Sequence, residues 1–273
     1  MKLVFLDLDN TLINAEYNLT APEDELRLVV QSLVKRDIQV GLCSDSAVIT
    51  LRQWAKRLGL TGPIIAERGA IIWDPTQQSE EVIEPSATGW FIKLRELFVA
   101  EIAKKFPEAA VMVGDATRFV KKRKIDQTSA SQIFAINGFR KASFSFFACS
   151  PGTDKALLVP DSELLVRSSH VVAESIESFG KKKNDLFWDE NPKYGILILH
   201  ALTTEKRNGA EVLMNRFKPE QTVMVGDNMS DFLGLSNVLQ YAVGNADSHY
   251  KQKAAFVSKK ILTEGVIECL RQL

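Results

Sequence analysis

Acidic residues follow two apolar runs of the sequence, at the point where each run ends. Asp7 and Asp9 come directly after the run 3–6. Asp227 follows a second run, and Asp231 stands four residues further on. Side chains at i and i+2 of an extended chain point the same way, and open α/β sheets bind ligands beyond the carboxyl ends of their strands. Each segment alone also fits an ordinary solvated turn, but two acidic strand ends in one sheet predict an acidic site.

A cluster of these carboxylates predicts a bound cation. At ~4 Å and an effective dielectric of about 20, two carboxylates repel each other by ~4 kcal/mol. Asp7, Asp9 and Asp227 together therefore require compensating positive charge. No Cys or His belongs to the cluster, and oxygen ligands alone favour Mg²⁺, which keeps part of its water shell and pairs with substrate phosphate.

Ser44 and Lys206 are two further candidates for chemistry. Ser44 follows the apolar run 40–43, and a hydroxyl at the start of a helix can bind phosphate oxygen beside free backbone N–H groups. Taken by itself, Ser44 fits an ordinary helix N-cap better, and Lys206 fits a solvated surface charge. Phosphate binding is indicated only because Ser44 and Lys206 occur in the same chain as the acidic residues.

Alternating strand and helix signals surround these residues. Apolar runs predict strands and helical spacing predicts helices, in the order strand 3–6, helix 22–36, strand 38–43, helix 48–58 and strand 64–66. Thr20 and Glu23 predict a capping box at the first helix. The end of the chain repeats the alternation, with helix 206–217, strand 222–225, helix 230–235, strand 239–243 and helix 264–272. Repeated strand–helix units predict an α/β fold with a central parallel sheet.

The middle of the chain is less regular and predicts an inserted α+β domain. We expect residues 1–80 and 200–273 to form one discontinuous core domain and residues 81–199 to form the insertion. Two basic runs fall inside it, at 121–124 and 181–183. Charge runs of this kind are usually solvated faces, and the alternative is that they attract an anionic substrate.

Composition excludes several classes of protein. A chain of 273 residues corresponds to about two domains. Its net charge of +0 argues against a nucleic-acid partner. The N-terminal apolar run is too short for a signal peptide, and no apolar stretch is long enough to span a membrane. Three scattered cysteines form no disulfide framework or metal motif, so we expect a cytoplasmic protein.

The order of the chemical segments resembles the four motifs of the haloacid dehalogenase (HAD) superfamily. These motifs are Asp-x-Asp-x-Thr at 7–11, Ser44, Lys206 and Gly-Asp-x-x-x-Asp at 226–231. Further matches lie at 66–70 (AERGA), 206–209 (KRNG) and 243–246 (VGNA). Together with the insertion between Ser44 and Lys206, they resemble the type II (C2-capped, Cof-like) subgroup, which includes mannosyl-3-phosphoglycerate, sucrose-phosphate and phosphoglycolate phosphatases. The resemblance covers about residues 1–75 and 200–273.

The resemblance implies a Rossmann-like HAD core with an inserted C2-type cap, and a Mg²⁺-dependent phosphatase. Asp7 would be the nucleophile that forms an aspartyl-phosphate, and Asp9 the general acid and base. Ser44 and Lys206 would bind the phosphoryl oxygens. The ligands of Mg²⁺ would be Asp7, the Asp9 carbonyl, Asp227 and Asp231, the last directly or through water. The substrate would be a small phosphorylated metabolite, either a sugar phosphate or a compound related to phosphoglycerate or phosphoglycolate.

Four positions depart from the usual family pattern. Asn10 replaces a glycine, Asp45-Ser46 replaces Gly-Arg, Arg68 replaces an asparagine and Arg207 replaces a glycine. Asp45 and Arg68 are therefore candidates for substrate binding. Of the neighbouring cations, we expect Lys206 and not Arg207 to reach the phosphoryl group, because adjacent helical residues point about 100° apart.

Other functions remain open at the level of the sequence. Residues 111–115 (VMVGD) imitate the fourth motif, but this decoy motif has Phe119 where the second acid should be, so Asp115 is interpreted as structural. A phosphosugar mutase would use the same scaffold and pass the phosphate to a sugar hydroxyl. A metabolite-binding regulator would bind ligand without turnover. The chain is expected to be a monomer or a homodimer.

Overall fold

The structure is a computed structural model that describes residues 1–116, 130–152 and 158–273. The chain divides into two compact units, a core unit of Met1–Ile83 with Thr204–Leu273 and an inserted unit of Glu84–Thr203. The sequence predicts domain boundaries after residues 80 and 199, and both boundaries fall a few residues later in the structure. The reason is strand pairing, because the strand Ser79–Val82 pairs within the first sheet and the strand Ile196–Ala201 within the second.

The core unit contains an eight-stranded sheet. Its strands in chain order are β1 (Lys2–Leu6), β2 (Ile38–Cys43), β3 (Ile64–Ala66), β4 (Ile71–Asp74), β5 (Ser79–Val82), β12 (Gln221–Gly226), β13 (Val238–Ala242) and β14 (Phe256–Val257). Their order across the sheet is β14-β13-β12-β1-β2-β3-β4-β5. The first six of these strands run parallel, and β4 and β5 close one edge as an antiparallel meander.

The helices of the core unit present apolar faces to this sheet. They are α1 (Glu23–Val34), α2 (Val48–Leu58), α5 (Lys206–Phe217), α6 (Ser248–Lys253) and α7 (Leu262–Leu270). Buried side chains recur at helical spacing, as at Leu26, Val30 and Leu33 of α1. One cluster joins β1, β2, β3, β4, β12 and α5 through Leu3, Phe5, Cys43, Ile65, Ile72, Ala210, Leu213, Met224 and Leu233.

The inserted unit has a sheet and a core of its own. Its strands are β6 (Ala110–Gly114), β7 (Ile133–Asn137), β8 (Ser143–Pro151), β9 (Leu158–Pro160), β10 (Leu186–Asn191) and β11 (Ile196–Ala201). They are arranged as β10-β11-β8-β7-β6, with β9 beside β8. Helices α3 (Pro85–Lys105) and α4 (Ser162–Ser178) belong to this unit. Phe98 of α3 packs against an aromatic cluster of Phe134, Phe144 and Phe146. The predicted α/β fold class with an inserted α+β unit is confirmed.

Two local predictions are wrong. The capping box of Thr20 and Glu23 is not formed, because the N-cap of α1 is Pro22 and the Thr20 amide donates to Thr263 Oγ1 at 2.9 Å. The helix predicted at 230–235 is a single 3₁₀ turn, Met229–Asp231. Asn228 Oδ1 accepts from the Ser230 amide at 2.8 Å and Asp231 Oδ2 accepts from the Asn228 amide at 3.2 Å, and the chain is already extended at Phe232.

Of the two basic runs, the structure describes only the second. Residues 121–124, like Phe119 of the decoy motif, lie outside the described residues. Residues 181–183 are exposed, and the ammonium groups of Lys181 and Lys183 lie 5.5 and 4.2 Å from the ring centres of Trp90 and Trp188. The second run therefore has the exposure of a solvated face. Within the described residues, every helix is too short or too polar to cross a membrane.

Candidate active site

The register of the core sheet brings the predicted residues to one edge. Leu6 is paired with Leu42 of β2 on one side and with Val225 of β12 on the other. The Asp7 amide continues this ladder by donating to the Val225 carbonyl at 2.9 Å. The residues that follow the three strands therefore emerge together, as carboxyl ends of parallel neighbours do.

Lys206 joins two of the carboxylates. It is the first residue of α5, and its side chain is almost completely buried, at 4% relative exposure. Its Nζ donates to Asp7 Oδ1 at 2.6 Å and to Asp231 Oδ1 at 2.6 Å. Both distances are short, as expected for charge-assisted hydrogen bonds. The lysine thus ties the end of β1 to the turn after β12.

Asp231 is tied to the protein at both oxygens. Oδ1 accepts from Lys206, and Oδ2 accepts from the backbone amides of Asp227 and Asn228 at 2.9 and 3.2 Å. Gly226 has to be a glycine here, because an added Cβ would lie 2.3 Å from Asp231 Oδ2. Asp231 therefore fixes the turn and the lysine, although the sequence placed it among the metal ligands.

Asp227 offers a carboxylate to the same cluster. Its Oδ1 accepts from Thr11 Oγ1 at 3.2 Å and from Asn228 Nδ2 at 3.0 Å. One carboxylate oxygen each of Asp7, Asp227 and Asp231 can be chosen so that the three atoms lie within 4.8 Å of one another. Sequence reasoning gave no role to Thr11 or Asn228, although Thr11 closes the Asp-x-Asp-x-Thr motif and that position was the available signal.

The charges of the described cluster do not balance. Three carboxylates face one ammonium group, which leaves two negative charges in excess. Burial, followed by the charge of Asp231, holds the pKa of Asp7 well above its usual value. The same two causes raise the pKa of Asp227 to about 6. Burial alone would lower the pKa of Lys206, but the charges of Asp231 and Asp7 hold it well above its usual value.

These observations fit a divalent cation bound by oxygen. One such ion would cancel the two excess negative charges and lower the pKa of both Asp7 and Asp227. The available donors are carboxylates, which is the ligand set that Mg²⁺ prefers. Asp7 and Asp227 are the carboxylates that would hold it directly, since Asp231 already accepts hydrogen bonds at both oxygens.

Ser44 lies in the loop between β2 and α2 and not at the helix terminus. The N-cap of α2 is Ala47, so the plain N-cap interpretation of Ser44 is wrong. Ser44 is completely buried, and its Oγ accepts from the Ser46 amide at 3.1 Å. The Ser46 hydroxyl in turn donates to Asp9 Oδ2 at 3.4 Å, which is long for such a bond. The loop therefore brings Ser44 and Asp9 to the same place.

Asp45 and Arg68 meet at the border of this loop. Arg68 Nη1 lies 3.4 Å from Asp45 Oδ2, and both side chains are partly exposed. The Arg68 amide donates to the Ser44 carbonyl at 3.3 Å, and Arg68 adopts a left-handed conformation with φ of 60°. Both residues therefore neighbour Ser44, Asp45 along the chain and Arg68 through a backbone hydrogen bond.

The neighbouring residues Lys206 and Arg207 have different environments. Lys206 is buried between two carboxylates, whereas Arg207 is exposed. An added Cβ on Gly234 would lie 3.8 Å from Arg207 Nη1, which places the guanidinium beside that glycine. Asp115 of the decoy motif lies in the inserted unit.

Comparison with known proteins identifies the family. The sequence model of the haloacid dehalogenase-like hydrolases matches residues 4–270, nearly the whole chain. The chain therefore belongs to the haloacid dehalogenase-like hydrolase family, and the resemblance inferred from the motifs is confirmed. No curated protein sequence is similar enough to be counted as a relative.

Solved structures share the fold over their whole length. A haloacid dehalogenase-like hydrolase from Bacteroides thetaiotaomicron has a TM-score of 0.67 at 18% identity, covering 99% of this chain and 98% of that one. A proposed HAD/COF-like hydrolase from Plasmodium vivax has a TM-score of 0.60 at 18% identity, with coverage of 99% and 94%. A trehalose-6-phosphate phosphatase related protein has a TM-score of 0.59 at 17% identity, with coverage of 99% and 96%. These likenesses establish the Cof-like fold with its inserted unit.

Proposed function

We propose that this hydrolase is a Mg²⁺-dependent phosphatase that acts on a small phosphorylated metabolite through an aspartyl-phosphate. The observation that carries the proposal is the buried lysine of the site. Lys206 Nζ lies 2.6 Å from Asp7 Oδ1, at the carboxyl end of β1 and beside two further carboxylates. A nucleophilic carboxylate next to a fixed positive charge suits phosphoryl transfer, in which catalysis consists mainly of positioning and charge stabilisation.

Asp7 is the nucleophile in this proposal. One of its carboxylate oxygens attacks phosphorus in line, a new P–O bond to Asp7 forms, and the ester P–O bond breaks. Lys206 supports this role in two ways. It holds the carboxylate in one orientation, and its charge lies where negative charge gathers on the phosphoryl oxygens.

Asp9 is the general acid and base. It gives its proton to the leaving alkoxide in the first step. In the second step it takes a proton from the water that attacks phosphorus and breaks the bond to Asp7. The contact from Ser46 to Asp9 Oδ2 supports an orientation of this side chain toward the Ser44 loop.

Ser44 completes the phosphate site. Its Oγ accepts from the Ser46 amide, so its own proton is directed elsewhere and can be donated to a phosphoryl oxygen. A Mg²⁺ ion held by Asp7, the Asp9 carbonyl and Asp227 would supply the remaining positive charge. Such charge is needed because phosphate monoesters are among the slowest biological bonds to hydrolyse.

The substrate class we propose is sugar phosphates or phosphoglycerate- and phosphoglycolate-like compounds. One structural neighbour is described as related to a trehalose-6-phosphate phosphatase, which supports a phosphorylated sugar. Asp45 and Arg68 are proposed to contact the substrate beyond its phosphate, because they lie next to the Ser44 loop.

Phosphate release with and without metal tests this proposal. We expect wild-type protein with Mg²⁺ to hydrolyse p-nitrophenyl phosphate or a sugar phosphate, and chelator to abolish the reaction. The Asp7→Asn variant should fold and bind phosphate but release none. Product analysis on sugar phosphates separates the alternatives, since an isomerised sugar phosphate indicates a mutase. Turnover in excess chelator, or a folded Asp7→Asn protein with near-normal turnover, would contradict the proposal.

A further inference from the structure

The segment 243–246 matches the family pattern but has no part in the chemistry described so far. It follows β13 in the core unit, and its backbone makes several hydrogen bonds. The Gly244 amide donates to the Lys260 carbonyl at 2.6 Å, and Lys251 Nζ donates to the Gly244 carbonyl at 2.7 Å. The Ala246 amide donates to the Val243 carbonyl at 3.0 Å, and the Asp247 amide to the Asp227 carbonyl at 2.8 Å. Asn245 is therefore presented from a rigid turn.

Both ends of the Asn245 amide are used. Its Oδ1 accepts from the Leu262 amide at 2.9 Å, and its Nδ2 donates to the Asn10 carbonyl at 2.7 Å. The first bond decides which way the amide points, because only the oxygen can accept from an N–H group. The NH₂ group consequently faces Asn10.

Each of the two partners of Asn245 has a backbone with a positive φ. Asn10 has φ of 59° and Leu262 has φ of 52°. Asparagine adopts this left-handed conformation more readily than other residues with a side chain, whereas a bulky residue such as leucine rarely does. Asn10 also stands where the family pattern has a glycine, the other residue that commonly adopts this conformation. One amide thus hydrogen-bonds to two residues whose backbones are left-handed.

Asn10 occupies a position that matters for the proposed reaction. It directly follows Asp9 and directly precedes Thr11, whose hydroxyl donates to Asp227. The turn that contains it is closed by the Leu12 and Ile13 amides, which both donate to the Leu8 carbonyl at 3.0 Å. The Asn10 carbonyl belongs to the peptide that joins Asn10 to Thr11, so a displacement of this peptide would reach Asp9 through the Cα of Asn10 and Asp227 through the Thr11 side chain.

We infer that Asn245 is a positioning residue, which holds the 8–13 turn so that Asp9 can protonate the leaving group. This inference rests on the proposed phosphatase function and adds to it a residue outside the four reactive motifs. Asn245 does not touch the reacting atoms. It acts through the Asn10 carbonyl, and its loss should harm the step that needs Asp9 more than steps that do not.

A comparison of two leaving groups tests the inference. p-Nitrophenyl phosphate and phenyl phosphate have similar shapes, but phenol is the weaker acid and needs protonation more. The ratio kcat/KM reports the steps up to departure of the leaving group, so hydrolysis of the phosphoenzyme does not enter. In Asn245→Ala, we expect kcat/KM for phenyl phosphate to fall roughly threefold to tenfold, as for one lost hydrogen bond, and that for p-nitrophenyl phosphate to change little.

Lys251→Met is the matched control. It removes a hydrogen bond from the same turn, at the Gly244 carbonyl, without touching Asn10. We expect it to leave the ratio between the two substrates unchanged. An equal loss for both substrates in Asn245→Ala, or the same selective loss in Lys251→Met, would overturn the inference while leaving the phosphatase function intact.

Amide hydrogen exchange gives a readout that does not depend on activity. In Asn245→Ala the Leu12 and Ile13 amides should exchange faster by a similar factor, and in Lys251→Met they should not. Unchanged exchange in Asn245→Ala would overturn the inference even if the enzyme were slow. Failure of the phosphatase function would appear separately, as wild-type protein that releases no phosphate from either ester.

Discussion

Lys206 is the residue on which the charges of the site converge. Its ammonium group is the positive partner of Asp7 and Asp231, both buried. A buried ion pair contributes little net stability when intact, but breaking one is costly because a charge is left without its partner. Lys206 is therefore tied to both the stability and the chemistry of the site, whereas the exposed Arg207 is tied to neither.

Alanine variants of these two neighbours should differ strongly. We expect Lys206→Ala to lower kcat by roughly 10²–10³-fold, the usual effect of losing a group that stabilises transition-state charge. We also expect a lower melting temperature, since Asp7 and Asp231 would face each other. Arg207→Ala should change KM modestly and kcat little. Steady-state kinetics on both variants, with thermal melts, checks this. A large kcat loss in Arg207→Ala beside a normal Lys206→Ala would reverse the assignment.

At the scale of elements, the start of α5 is positioned by the turn after β3. Gly69 has φ of 94°, and an added Cβ would lie 1.9 Å from the Glu205 carbonyl oxygen. Glu205 is the N-cap of α5 and immediately precedes Lys206. Only a glycine lets the two backbones approach so closely, so the position of Lys206 depends on a residue without a side chain.

Replacing Gly69 should therefore disturb catalysis from a distance. We expect Gly69→Ala to lower kcat at least tenfold, because the start of α5 must shift and carry Lys206 with it. Gly59 provides the control, since its φ of 69° is also left-handed but an added Cβ there meets nothing within 4 Å. Gly59→Ala should cost about 1 kcal/mol of stability and leave kcat intact. Equal kcat values in the two variants would show that the close approach is unimportant.

The strands that carry the site could be predicted from the sequence, because their apolar runs end abruptly in polar residues. Those runs reflect burial on both faces of a parallel sheet, which is a local property of the chain. The double role of Asp231 could not be predicted. It depends on the register of β12 against β1 and on α5, which brings a lysine from 25 positions earlier.

The failed prediction of a capping box at α1 has the same cause. The Thr20 amide has a partner in Thr263, which is 243 positions away, and this contact competes with local capping. Asn245 likewise reaches Asn10 across 235 positions. Sequence spacing reports neighbours along the chain, whereas these contacts are set by how distant strands are ordered in the sheet.

At the scale of the whole molecule, the residues of the candidate site and the inserted unit belong to separate parts of the chain. Asp7, Asp9, Ser44, Lys206, Asp227 and Asp231 all belong to the core unit. The inserted unit has its own sheet and its own aromatic cluster. Inserted units of this kind are expected to close over substrates and exclude water, and that role remains a proposal for this chain.

Replacing residues 84–203 by a short flexible linker tests the separation. We expect the shortened protein, if circular dichroism shows it folded, to retain hydrolysis of p-nitrophenyl phosphate within about tenfold, because no proposed catalytic group is removed. Its preference among sugar phosphates should disappear. Measured kcat/KM values across a substrate panel check this. A preserved preference would place specificity in the core loops, with Asp45 and Arg68 as the first candidates.

The central claim is that Asp7 becomes phosphorylated during turnover, and the most direct measurement is to trap that species. Wild-type protein is mixed with Mg²⁺ and a good substrate and quenched in acid within milliseconds. Its peptides are then analysed by mass spectrometry. We predict a phosphoryl group on the peptide that contains Asp7, present in wild-type protein, absent in Asp7→Asn and lost on return to neutral pH. Phosphate release by wild-type protein with no phosphorylated peptide at any quench time, or with the label on another residue, would contradict the account.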